Sequence, residues 1–144
     1  MRPRSRALLT GARGWATSAM SLDQIMGTLP NEVTSAVNAG VQQQAVAQKY
    51  GLRYITYEGG QTVVLKDNLP LEQQVQRDPR MRDAYQQFMT AWRSQIGGDL
   101  NLFALEGQIS PYGAWGLSEY IGQPVSQAPK QQAVNELLGG KTAK

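Results

Sequence analysis

The sequence contains neither cysteine nor histidine. Disulfide bonds, thiol nucleophiles, thiolate or imidazole metal ligands and every catalytic triad that uses histidine are therefore excluded within this chain. The absence of cysteine fits a reducing or an oxidising compartment equally well. Any chemistry must use carboxylates, amides, hydroxyls, tyrosine, lysine or arginine, and the sequence predicts neither a metal site nor a cofactor.

Long apolar segments and an excess of basic charge in the body of the chain are also lacking. No hydrophobic run approaches the roughly 20 residues that a membrane-spanning helix needs. Four of the 14 basic residues are arginines in the first twenty positions, where there is no acid, and the other ten are balanced by 11 acidic residues. The sequence therefore predicts no membrane span and no nucleic-acid partner.

The first twenty residues differ in composition from the rest of the chain. Residues 1–20 are rich in arginine, serine and threonine but lack the apolar core of a secretory signal. We expect a basic, flexible N-terminal tail here, with an organellar presequence as the alternative. The composition, 41% hydrophobic and 17% charged, is typical of a globular protein and predicts one domain over residues 21–140. Residues 141–144 are expected to be a frayed C-terminal tail.

Apolar periodicity and capping residues predict a series of helices. Ser21 and Gln24 form a capping-box pattern ahead of an apolar stripe. Pro30 interrupts this stripe, so a short helix over 22–29 and a separate helix over 31–50 are expected. A further helix is predicted over 71–75. Asp78-Pro79 predicts the start of another over 79–96, with Phe88 and Trp92 on its apolar stripe, and Pro129 predicts the start of the last helix.

Two short segments, 52–57 and 100–105, predict strands because they are apolar or β-branched and follow glycines. The second is expected to be buried on both faces. Because helices alternate with these strands, the predicted fold class is α/β with a parallel sheet. A long loop follows over 106–128; loops of this length in compact domains are usually functional or disordered, and this one is too aromatic to be simply disordered.

The first candidate site is the segment 57–61, Tyr-Glu-Gly-Gly-Gln, at the end of the first predicted strand. In parallel α/β folds, ligands bind beyond the carboxyl ends of the strands. Glu58 would therefore lie where ligands bind, followed by two glycines that allow close approach of the backbone to a ligand. The alternative is a turn that ends the strand and carries a solvated glutamate.

The second candidate site is the segment 112–116, Tyr-Gly-Ala-Trp-Gly, on the loop after the second predicted strand. An indole between glycines, beside a carboxylate, suits stacking on the apolar face of a sugar ring. Trp115 as a plug over the strand ends is the alternative. Glu106 and Glu119 bracket this loop, and each is a candidate for a second acid or an ordinary exposed or hydrogen-bonded residue. We expect Glu58 and Trp115 to share one mouth.

Three segments in order carry a resemblance to a known family: Lys49 to Gln61, Arg77-Asp78-Pro79-Arg80-Met81, and Trp115 to Tyr120. Over about residues 22–138 the chain resembles the C-terminal part of a poorly characterised family of (β/α)8-barrel proteins. These proteins are often labelled cellulose-binding and are similar to retaining glycoside hydrolases. Thr62 stands where family members usually carry histidine.

The resemblance implies a partial barrel, about the last two βα units of a TIM-barrel-like fold, and an extracytoplasmic location, although no secretory signal is visible. It implies Glu58 as the catalytic nucleophile and Trp115 as the sugar-stacking residue. The acid/base carboxylate would come from an earlier strand outside this chain. The further residues expected to bind substrate are Tyr57, Gln61, Tyr112 and Glu106.

Three functions follow from these observations. The first is a fragment of a glycoside hydrolase-like barrel, inactive alone, because a closed barrel takes eight strands and roughly 200 residues or more. Its partners would be a carbohydrate and the missing N-terminal half of the barrel. The second is a non-catalytic carbohydrate-binding module that uses Trp115, Tyr112 and Tyr57. The third is a small α/β interaction protein that self-associates to cover its sheet edges.

Overall fold

The sheet consists of three parallel strands in the order β1-β2-β3, where β1 is Arg4–Leu8, β2 is Ile55–Gly60 and β3 is Leu100–Leu102. The computed structural model describes residues 4–8 and 14–139. Each strand is hydrogen-bonded to the strand that follows it in the chain. Within the described residues the sheet has two outer edges and does not close into a barrel. The mixed α/β class is therefore as predicted.

Four helices accompany the sheet in the part of the chain that the structure describes. α3 packs against both α1 and α4, while α2 packs more lightly against α1 and α3. A single 3₁₀ turn, Val125–Gln127, precedes α4. The helices are α1 (Leu22–Lys49), α2 (Leu69–Arg77), α3 (Pro79–Gln95) and α4 (Pro129–Leu137).

One continuous helix, α1, replaces the two helices predicted on either side of Pro30. The capping box at its start forms as predicted, with Ser21 and Gln24 each bonding the other's backbone N–H. An interior proline costs about 3 kcal/mol. The buried side chains before and after Pro30 form one stripe along α1, and each contributes about 1.5–3 kcal/mol on burial. A break at Pro30 would split that stripe, so the packing outweighs the proline.

The hydrophobic core lies between α1 and α3. Trp92 and Phe88 of α3 are fully buried, as the predicted stripe of that helix requires, and Tyr54 stacks on Trp92 with ring centroids 5.9 Å apart. Asp78 caps α3 by accepting from the Arg80 N–H, so the predicted Asp-Pro start is confirmed. α4 also begins at its predicted proline, Pro129.

The strands differ from their predicted bounds. β2 covers residues 55–60 instead of 52–57, so Glu58 lies within the strand, not after it. β3 has three residues and is not buried on both faces: Leu100 and Leu102 pack against the core while Asn101 is exposed. β3 is short because the backbone groups of residues 104–105 form hydrogen bonds with the 106–128 loop instead of with the sheet.

The N-terminal segment is partly structured, in contrast to the tail expected over residues 1–20. Residues 4–8 form β1 beside β2, so the sheet has one strand more than predicted. Ala16 is buried, and Trp15 packs against the core. A strand here was hidden because arginines interrupt its apolar pattern. The predicted C-terminal tail, 141–144, lies outside the described residues, as do positions 1–3 and 9–13.

Among the helices that the structure describes, none combines the length and the apolar character needed to cross a bilayer. The same part of the chain contains no group of three or more acidic side chains placed to hold a metal ion.

Candidate functional site

A bulge in β2 determines where Glu58 lies. β1 pairs Ser5 with Thr56 and Arg6 with Glu58, so Tyr57 is an extra residue on β2. The pairing of β2 with β3 is irregular over the same stretch. Bulges of this kind break the alternation of side chains and redirect the residues that follow. Tyr57 is 54% exposed, whereas Thr56 is fully buried.

Glu58 and Trp115 line the same small, open cleft at the carboxyl ends of β2 and β3. The expected juxtaposition of these two residues is therefore observed. The other residues that line the cleft, hereafter the Glu58–Trp115 cleft, are Gly59, Gly60, Gln61, Thr62 and Phe103.

Two contacts orient the Trp115 indole. On one side it lies against Gly113, where a Cβ atom would come within 2.3 Å of the indole Cη2 and 2.4 Å of Cζ2. On the other side it packs near Phe103, with ring centroids 6.4 Å apart and ring planes at 54°. Glycine at 113 is therefore required for the indole to occupy this position, and Trp115 is half-buried as a result.

Backbone pairing connects the start of the 106–128 loop to the segment that carries Trp115. The Ala104 N–H donates to the Trp115 carbonyl at 3.0 Å, and the Leu117 N–H donates to the Ala104 carbonyl at 2.8 Å. Gly116 fits closely here, because a Cβ at this position would lie 2.2 Å from the Gly107 nitrogen. The loop is thus an ordered extension of β3.

Gln61 connects the end of β2 to the same loop. Its side-chain Nε2 donates to the Ala114 carbonyl at 2.6 Å, and its Oε1 accepts from the Val63 N–H at 2.7 Å. Its backbone N–H donates to the Tyr85 hydroxyl at 3.2 Å. Gln61 was expected to contact substrate, but it is 1% exposed and these bonds use its amide inside the protein. It is better described as a residue that positions the loop.

A buried polar cluster lies behind the loop, formed by Glu72, Gln76 and Lys130. The Lys130 Nζ donates to the Ala114 carbonyl at 2.7 Å and to the Gln76 Oε1 at 3.1 Å. Glu72 accepts from the Gln76 Nε2 at 2.9 Å and from the Leu65 N–H at 2.6 Å. No sequence motif predicted this cluster. The only available signal was the i, i+4 spacing of Glu72 and Gln76 on a face shared with Val75.

Burial perturbs both ionisable members of this cluster. It raises the pKa of Glu72 above its ordinary value, and the hydrogen bonds from Leu65 and Gln76 only partly oppose that effect. Burial lowers the pKa of Lys130 to about 7, although the charges of Glu72 and Glu119 act in the other direction. An ammonium whose pKa is close to neutrality therefore holds the carbonyl next to Trp115.

The other predicted site residues lie outside the cleft. Glu106 is exposed and pairs with Ser118 through the backbone. Glu119 forms a two-bond ion pair with Arg77, at 2.8 Å for each bond, which lowers the pKa of Glu119. Tyr112 is 76% exposed, on the loop but not among the residues that line the cleft. Among the described residues, Glu58 is thus the one carboxylate in the cleft lining.

Comparison of this chain with protein families, with curated proteins and with solved structures gives no match. The functional assignment therefore depends on the chemistry of the Glu58–Trp115 cleft.

Proposed function

We propose that this chain is part of a glycoside hydrolase-like barrel and binds a polysaccharide at the Glu58–Trp115 cleft without hydrolysing it alone. The observation that carries the proposal is that a carboxylate and an indole line one open cleft at the carboxyl ends of neighbouring parallel strands. Ligand sites in parallel α/β folds lie at this end of the sheet.

The residue types of the cleft fit a sugar ring. The C–H groups on one face of a pyranose pack on aromatic rings, and Trp115 and Phe103 supply two such rings side by side. A carboxylate accepts hydrogen bonds from sugar hydroxyls. Tyr57, more than half exposed on β2, is not among the residues that line the cleft.

Hydrolysis by this chain alone is not expected, because retention requires two carboxyl groups about 5–5.5 Å apart. Glu58 supplies one, and no second carboxylate lines the cleft within residues 14–139. The three parallel strands in sequential order are compatible with part of a (β/α) barrel, in which neighbouring strands follow one another along the chain. In that arrangement the acid/base group would come from a strand that the described residues do not contain.

The test is glycan binding by the purified chain and three variants. Isothermal titration and affinity gels with cellulose-derived and other β-linked oligosaccharides should detect binding that Trp115→Ala abolishes. Tyr50→Ala is the matched control, because Tyr50 is 68% exposed at the end of α1 and is not among the residues that line the cleft. Binding that survives Trp115→Ala would refute the proposed site.

Glu58→Gln separates binding from catalysis. We expect this variant to bind oligosaccharides more weakly but measurably, since the amide still accepts hydrogen bonds. Neither the native chain nor Glu58→Gln should cleave aryl glycosides. Turnover by the native chain that Glu58→Gln abolishes would show that the chain is catalytically complete, and the proposal of an inactive barrel part would then be wrong.

Self-association is the second candidate, favoured by one observation away from the Glu58–Trp115 cleft. A groove of about 610 Å³ runs beside β3, with mostly apolar walls from α3, β3 and α4. Leu138 at its rim is 80% exposed. Unpaired strand edges beside apolar surface favour association with another chain. Light scattering at several concentrations tests this, and a monomer at every concentration would eliminate it.

A further inference from the structure

One carbonyl oxygen receives two buried side-chain donors. The Ala114 oxygen accepts from the Gln61 Nε2 at 2.6 Å and from the Lys130 Nζ at 2.7 Å. Gln61 comes from the end of β2 and Lys130 from the first turn of α4, so the two donors approach from different elements. Ala114 immediately precedes Trp115. The orientation of this peptide group therefore influences the position of the Trp115 side chain.

The Lys130 ammonium is itself held by a chain of buried bonds. Its second acceptor is Gln76, whose amide in turn donates to the Glu72 carboxylate. Lys130 is 5% exposed, and Glu72 is fully buried. An isolated apolar residue would be cheaper to bury at position 130 than a charged one. The Lys130 ammonium thus donates to the Ala114 carbonyl and to Gln76, which connects it to the Glu72 carboxylate.

We propose that Lys130 is a positioning residue for the sugar-stacking indole, and that loss of its proton weakens glycan binding at the Glu58–Trp115 cleft. This inference rests on the proposed function, because it concerns the regulation of the same site. Hydrogen bonds from charged donors are about twice as strong as those from neutral ones. A neutral amine at position 130 therefore holds the Ala114 carbonyl less firmly, and the indole gains freedom.

The protonation change falls in the neutral range. Burial lowers the pKa of Lys130 to about 7, so its charge is present in mild acid and lost in mild base. Two other charged groups act on it, Glu72 from α2 and Glu119 from the 106–128 loop, and Glu119 is paired with Arg77. The N-terminal position of Lys130 in α4 also opposes a positive charge there.

The direct test follows Trp115 by ¹⁹F NMR in the full chain labelled with 5-fluorotryptophan. Trp15, Trp92 and Trp115 give three resonances, and Trp115→Phe assigns the one of interest. We expect the Trp115 resonance to move between pH 5.5 and 9 with a midpoint near the value of about 7 for Lys130. Trp92, in the core, serves as the internal indicator of folding.

Three variants isolate the group responsible. Lys130→Met should abolish the titration of the Trp115 resonance, and Lys130→Arg should also abolish it while keeping the charge at every pH. Glu72→Gln should lower the midpoint, because it removes a negative charge that favours the ammonium. If Lys130→Met does not fold, judged by Trp92, the Lys130→Arg and Glu72→Gln results decide. An unchanged midpoint in Glu72→Gln, or a titration that persists in Lys130→Arg, overturns the inference.

Glycan binding provides the functional readout. Affinity of the native chain should fall by up to about five-fold between pH 6 and 8.5, the factor implied by replacing one charged hydrogen bond with a neutral one. Lys130→Arg should bind equally at both pH values. Binding that is independent of pH in the native chain overturns this inference alone. Absence of binding at any pH, with the ¹⁹F titration intact, refutes the proposed function and leaves the positioning role of Lys130 standing.

Discussion

The Gln61 side chain donates to the Ala114 carbonyl at 2.6 Å and so joins the end of β2 to a loop 53 residues later in the chain. Both partners are buried: Gln61 and Ala114 are each 1% exposed. This bond fixes the loop backbone at Ala114 and so contributes to the position of Trp115 in the cleft. Gln61, which also lines the cleft, therefore acts on it through the position of the loop.

Replacement of Gln61 by leucine should destabilise the protein by about 1–3 kcal/mol, because the buried Val63 N–H loses its acceptor and the Ala114 carbonyl loses a donor. Urea denaturation measures this change in the free energy of unfolding. Gln108→Leu, at an exposed position of the same loop, is the control and should change stability by less than about 0.5 kcal/mol. Equal effects of the two substitutions would contradict a structural role for Gln61.

Gly113→Ala should displace the Trp115 indole. The new methyl group would lie 2.3 Å from the ring, and the backbone at Gly113 has a φ of +153° that disfavours a side chain. We expect near-ultraviolet circular dichroism to change and glycan binding to be lost. Gly107→Ala in the same loop should change neither, since its nearest atom would be 3.5 Å away. An unaltered tryptophan spectrum in Gly113→Ala would show that the indole does not depend on this glycine.

Replacement of two glycines of α1 by alanine should have opposite effects on stability. At Gly40 a Cβ would come within 2.7 Å of the Ile96 Cδ1 and 3.1 Å of the Trp92 Cζ3, so Gly40→Ala should destabilise by about 1–3 kcal/mol. Gly27 has no neighbour within 4 Å, and Gly27→Ala should stabilise the helix by about 0.5–1 kcal/mol. Thermal and urea denaturation measure both. A stabilising Gly40→Ala would mean that α1 and α3 are less closely packed than described.

Lys130 should make stability rise with pH above neutrality. Its pKa is about 7 in the folded chain, against the ordinary 10.5 expected when unfolded, so the unfolded chain binds more protons between these values. The free energy of unfolding should therefore increase with pH across this window, by at most about 1.4 kcal/mol per pH unit. Lys130→Met should lack this rise. Parallel stability profiles for the two proteins would disprove it.

Glu72 acts in the opposite sense and at lower pH. Because burial raises its pKa, stability falls as pH rises from the ordinary value of 4.5 toward the folded value. Glu72→Gln removes this contribution, so its stability profile distinguishes the pH dependence due to Glu72 from that due to Lys130. The comparison also distinguishes the proposed regulation from unfolding, since glycan binding should weaken above pH 7 while Lys130 makes the fold more stable.

The helices were largely predictable because their signals are local. The capping residues Ser21 and Asp78 and the apolar stripe through Phe88 and Trp92 act within a few residues, and the structure follows them. Pro30 was misread because its local cost is overcome by contacts with α3, which the sequence of α1 does not reveal. For the same reason the arginine-rich β1, which gains its bonds from β2, was taken for part of a tail.

The candidate site, like the fold, was predictable from the sequence only in part. Ligand-binding loops gather at the carboxyl ends of parallel strands, and this general rule was sufficient to predict that Glu58 and Trp115 lie in one cleft. The sequence did not predict the bulge at Tyr57, the internal hydrogen bonds of Gln61 or the burial of Lys130. Each of these depends on partners distant in the chain.

The sequence by itself determined the residue types available for chemistry, the positions of most helices and the alternation that produces a parallel α/β fold. Only the tertiary structure decided which polar side chains are buried and what they bind. Hydrogen-bond partners such as Lys130 and Ala114 are fixed by how elements pack, because burying a polar group is tolerated only where the fold provides a partner for it.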